Sequence, residues 1–80
     1  MTPEQCKMAR AGLGLGVREL AEKADVSPNT ITRLERGESM QRRTVETIRT
    51  ALESAGIAFI PAGDYQGSGG PGVRLVGGDQ

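Results

Sequence analysis

The chain has 80 residues, 36% of them hydrophobic, with one Phe, one Tyr and no Trp; this bounds it to one small domain with a modest core, since such domains bury only about 60% of their unfolded surface. Ten Lys/Arg balance ten Asp/Glu, so the total charge argues against nucleic-acid binding unless the charge is unevenly placed. The single cysteine, Cys6, excludes an internal disulfide, no apolar run approaches the ~20 residues of a membrane span, and "MTPEQCKMAR" lacks a signal-peptide core, so a cytoplasmic protein without membrane association is expected.

Thr2, Pro3 and Gln5 form a capping-box pattern that predicts a first helix from Pro3 to about Ala11, ending near Gly12. Cys6, Ala9 and Leu13 line its inner side, where Cys6 reads as a small buried apolar residue. Val17, Leu20, Ala21 and Ala24 repeat at helical spacing and predict a second helix over 17–24. Asp25 follows in a turn position that tolerates a left-handed backbone. Ser27 as cap and Pro28 in the first turn start a third helix, running to about Arg36 and stopped by Gly37. Thr44 is expected to cap a fourth helix with the apolar stripe Val45, Ile48, Leu52 and Ala55, ended by Gly56.

Beyond Gly56 the composition changes. "IAFIP" and "VRLV" read as two strands, and seven of the twelve glycines lie past residue 60. The stretch "GSGGPG" at 67–72 fits the spacing of a dinucleotide-binding loop, but no helix follows it, so the match is compositional. The fold class expected is mainly α: four helices over 1–56, then a Gly-rich β tail over 57–80.

On a helical wheel of ~100° per residue, Ile31 and Leu34 point one way, while Asn29, Thr32, Arg33 and Arg36 share an arc of about 100° on the other side. Asn suits adenine edges, Arg suits guanine edges, and a threonine methyl can meet a thymine methyl. Between residues 33 and 49 five arginines (33, 36, 42, 43, 49) face three acids (Glu35, Glu38, Glu46), a local positive excess.

The segment "LGVRELAEKADVSPNTITRLERGES" resembles the helix-turn-helix of the phage-repressor (Cro and lambda-repressor-like, Xre) family, and the resemblance covers residues 3 to 56. It implies a four-helix domain whose third helix enters the major groove of double-stranded DNA. Carried over by position, Asn29, Thr32 and Arg33 would read bases. Ser27, Thr30, Arg36, Arg42 and Arg43 would meet the DNA backbone, and Arg10 and Glu35 would form a structural ion pair. Three positions depart from the family's pattern: Val17 stands where a phosphate-contacting Gln is common, Pro28 where a base-facing polar residue is common, and Asp25 where the turn glycine is usual.

The function expected is that of a homodimeric repressor on a two-fold-symmetric operator. The alternative is a protein-binding module on the same scaffold, an antitoxin or anti-activator. Neither face of "IAFI" is polar, so a second copy of the chain is expected to cover the tail through Ile57, Phe59, Ile60, Val73 and Leu75, with the 61–72 loop mobile or lying across the partner. The chain has no His, no cysteine cluster and no recognisable nucleophile–base pair. No metal, cofactor, small-molecule ligand or enzymatic activity is therefore expected.

Overall fold

The structure is a computed structural model that describes residues 1–63 and 69–76. Four helices, α1 (Pro3–Leu13), α2 (Val17–Ala24), α3 (Pro28–Glu35) and α4 (Arg42–Ser54), precede an antiparallel pair, β1 (Ile57–Ile60) and β2 (Gly72–Leu75). The fold class read from the sequence therefore stands. No helix among the described residues is long and apolar enough to cross a membrane.

The helix starts follow local chemistry. Thr2 and Gln5 form the expected capping box, and the Ser27 hydroxyl accepts the Thr30 amide at 3.2 Å. Asp25 adopts the left-handed conformation at φ 57°. Its amide and that of Val26 bond to the carbonyls of Glu22 and Ala21, closing α2 and turning the chain towards α3.

Two boundaries differ most from the sequence expectation, while α3 ends one residue earlier, at Glu35, and β2 is Gly72–Leu75 rather than 73–76. α1 runs two residues further and closes at Gly14, whose φ is 69°. Gly12 lies inside the last turn instead, where an added Cβ would meet the Leu75 side chain at 3.5 Å. α4 begins at Arg42 rather than after Thr44, with Gln41 as an extended cap residue whose carbonyl accepts the Val45 amide at 3.1 Å. Backbone geometry alone starts this helix, so no hydroxyl cap is needed.

One core joins all these elements. Leu20, Ile31, Ile48 and Leu52 are fully buried, and Cys6, Ala9, Ala21, Ala24, Leu34 and Ile57 complete the cluster. Burying each of the large side chains stabilises the fold by about 1.5–3 kcal/mol. Pairing of Ile57 with Leu75 and Phe59 with Val73 puts these four on one face of the hairpin. That face lies on the helices: Ile57 joins the core, Phe59 and Val73 pack against it, and the Arg49 guanidinium sits 4.8 Å from the centroid of the Phe59 ring. Residues 57–60 thus share the core of residues 1–56. The hairpin ladder also extends past its strands, since Gly63 and Gly69 exchange backbone hydrogen bonds at 3.0 Å. The remainder of the loop, 64–68, lies outside the described residues, as does the start of "GSGGPG".

Candidate nucleic-acid interface

α3 is only eight residues long, below the length at which an isolated helix is stable in water. Ile31 and Leu34 anchor its inner face in the core. Its opposite face is free of the fold: Asn29, Arg33 and Arg36 are exposed and Thr32 is half-buried. Ser27 and Thr30 stand at its amino end with their hydroxyls 2.9 Å apart. The Thr32 hydroxyl donates back to the Pro28 carbonyl at 3.3 Å. Asn29 makes no side-chain hydrogen bond among the described residues.

Beside α3 lies the amino end of α4. No side chain caps it, and the amides of Arg42, Arg43 and Thr44 have no intrahelical acceptor. Arg42 and Arg43 are exposed on its first turn, and neither is in an ion pair among the described residues. Thr30 and Arg33 of α3, the linking residues Ser39, Met40 and Gln41, and Thr44 of α4 line a shallow cleft of about 270 Å³. The cleft therefore joins a polar helix face to a helix terminus suited to an anion. An open groove of about 600 Å³ between α2 and α4, with Lys23 and Glu46 at its rim, involves none of these residues.

The charges on this surface are more ordered than the sequence indicates. α3 closes with Gly37 at φ 90°, the Gly37 amide on the Leu34 carbonyl and the Glu38 amide on the Arg33 carbonyl at 3.1 Å. This cap folds Glu38 back over the last turn. Arg33 Nε donates to Glu38 Oε1 at 3.0 Å, and Arg36 Nη1 donates to Oε2 at 3.0 Å. The Arg33 hydrogen bond first, and Arg36 after it, hold the Glu38 carboxyl below its usual pKa. In the sequence Glu38 stands only as one of three acids set against the five arginines of 33–49. The spacing Arg33, Arg36, Gly37, Glu38 is the signal that could have found it. Arg49, counted in the local positive excess, is turned to the hairpin: it bonds Glu53 at 3.1 Å and covers Phe59.

Behind α3, Arg10 grips Glu35 in a bidentate pair, Nε to Oε2 at 2.8 Å and Nη2 to Oε1 at 2.9 Å. Arg10 Nη1 also reaches the Leu15 carbonyl at 3.2 Å, and the Cys6 thiol donates to Glu35 Oε2 at 3.3 Å. Burial pushes the Glu35 carboxyl up, but the hydrogen bonds from Arg10 and Cys6 and the Arg10 charge outweigh it and hold the group below its usual range. The pair ties α1 to α3 and fixes the angle at which the outer face is offered.

A family model described as a helix-turn-helix domain matches residues 4–56, well over half the chain. The chain belongs to the helix-turn-helix domain family. No curated protein matches it significantly. In the helix-turn-helix domain, α2, the Asp25 turn and α3 form the motif after which the family is named, and the family points to DNA binding.

Proposed function

We propose that this helix-turn-helix domain is a sequence-specific transcriptional repressor of the phage-repressor (Cro and lambda-repressor-like, Xre) type. It acts as a homodimer on a two-fold-symmetric operator in double-stranded DNA. The observation that carries this reading is the exposed Asn29–Thr32–Arg33–Arg36 face of α3 set beside the uncapped α4 terminus with Arg42 and Arg43. Asn29 and Arg33 read base edges in the major groove, and the Thr32 methyl meets a thymine methyl. Arg36, Arg42, Arg43 and the α4 amides engage phosphates, with Ser27 and Thr30 at the other end of α3.

Dimerisation uses the hairpin. Ile57, Phe59 and Val73 pack within their own chain, so the contact draws on Leu75 and Val76, which are 57% and 51% exposed, and on the half-buried Ile60 of the other hairpin face. Two copies read half-sites about one helical turn apart.

Selection of bound duplexes from random DNA tests the reading. The expected result is an enriched two-fold-symmetric site. Arg33→Ala is expected to relax one base pair per half-site, a discrimination of about 1–3 kcal/mol. Arg43→Ala is expected to weaken all sequences alike and to flatten the salt slope by about 1. Failure to enrich any duplex would leave the protein-binding alternative.

A further inference from the structure

Resting on the DNA-binding reading, we propose that Glu38 is a positioning residue for specificity: its carboxylate holds the Arg33 guanidinium ready for a base and restrains the arginines from indiscriminate phosphate binding. Three observations converge on it. The backbone of Glu38 is bonded to the Arg33 carbonyl, so the Gly37 turn fixes where its side chain begins. One carboxylate oxygen takes Arg33 Nε and the other takes Arg36 Nη1, both at 3.0 Å. The bond to Arg33 uses only Nε, and among the described residues Nη1 and Nη2 of Arg33 have no partner. Those two nitrogens can form the fork that meets guanine O6 and N7.

The arrangement has two consequences. The rotamer freedom that Arg33 would lose on binding is already reduced in the free protein, which favours the one base the fork fits. A carboxylate at the edge of the interface also repels phosphates and offsets the charge of Arg36, which weakens binding to any sequence alike. Glu38 thus raises the ratio of specific to non-specific binding rather than affinity itself.

Two substitutions separate these effects. Glu38→Gln keeps a carbonyl acceptor for Arg33 Nε but removes the charge, whereas Glu38→Ala removes both. Glu38 is exposed, and its backbone bond survives either change. The readouts are affinity for a random-sequence duplex and the base preferences recovered by selection. Both variants are expected to bind random duplex more tightly than the wild type. Only Glu38→Ala is expected to lose preference, by roughly two- to fivefold, at the base pair that Arg33→Ala relaxes. Arg33→Ala/Glu38→Ala is expected to match Arg33→Ala there, because residues acting through one contact are not additive. If Glu38→Ala keeps wild-type preference at that pair while Arg33→Ala relaxes it, the positioning role is wrong and the DNA-binding reading stands. A wild type that enriches no sequence overturns both together.

Discussion

Glu35 is the residue on which the orientation of α3 depends most. Its side chain is 9% exposed, against 24% for Arg10, so truncation strands a largely buried guanidinium. Glu35→Ala is expected to destabilise the domain towards the lower end of about 3–5 kcal/mol, read as a fall in urea midpoint. Glu38→Ala, at an exposed pair, is expected to leave that midpoint almost unchanged. The Glu35 carboxyl is also a source of acid sensitivity. Because its folded-state pKa is depressed, its contribution is complete above the unfolded value of about 4.3 and is lost as pH falls through the folded value. Stability measured between pH 7 and pH 3 is expected to fall less steeply in Glu35→Gln than in the wild type. Burial, followed by the hydrogen bond and charge of Glu35, pushes the Cys6 thiol up to about 12. A thiol reagent at neutral pH is therefore expected to label Cys6 only as fast as the domain opens; rapid labelling of the native protein would contradict this burial.

Among the elements, the hairpin is held in a way that its own sequence does not suggest. A two-stranded ribbon is marginal in water, and here a helix side chain clamps it. Gln5, 4% exposed, turns its Oε1 to the Thr2 amide at 2.8 Å while Nε2 donates to the carbonyls of Ile60 at 3.1 Å and Gly72 at 3.0 Å. The sequence marks Gln5 as half of a capping box, which it is; its second role depends on strands far along the chain. Gln5→Glu keeps the capping oxygen and removes both donors. It is expected to cost about 1–3 kcal/mol and to speed amide exchange in β1 and β2, with α2 and α3 little affected. Equal exchange throughout the chain would show that the clamp does not hold the hairpin. The shift in the start of α4 has a similar lesson. Thr44 looks like a cap because hydroxyl residues favour that position. The link over 38–41 instead leaves Gln41 extended at ψ 140°, so Arg42 and Arg43 enter the helix and its amides stay uncapped beside α3.

At the scale of the whole molecule, the hairpin belongs to the helical core through Ile57 and still leaves apolar surface at Leu75, Val76 and Met8. Removing everything after Gly56 would strip Ile57 from the core as well as the surface, so it is a poor test of dimerisation. Leu75→Asp with Val76→Asp leaves the buried residues in place. This variant is expected to sediment as a folded monomer and to bind an operator far more weakly, with the wild type dimeric at the same concentration. A monomeric wild type would remove the proposed dimer, and with it the two-fold site.

Some of this was legible because it is local. The capping residues Thr2 and Ser27, the left-handed Asp25 and the stop at Gly37 act over a few neighbouring residues, and the spacing of Ile31 and Leu34 shows which face of α3 turns inward. The sequence by itself therefore determined the helices, the motif and the outward row Asn29, Thr32, Arg33 and Arg36. Tertiary structure decided which charges meet and what each element rests on. Gln5 finds partners 55 and 67 residues away, and Arg49, besides its local pair with Glu53, covers Phe59 of the hairpin. Glu38 is the shared partner of two arginines five and two residues away, so that pairing belongs to the local path of the Gly37 turn. Local propensity is set by the backbone and its near neighbours, whereas the contacts of Gln5 with the hairpin and of Arg49 with Phe59 exist only once the core has brought separate segments together.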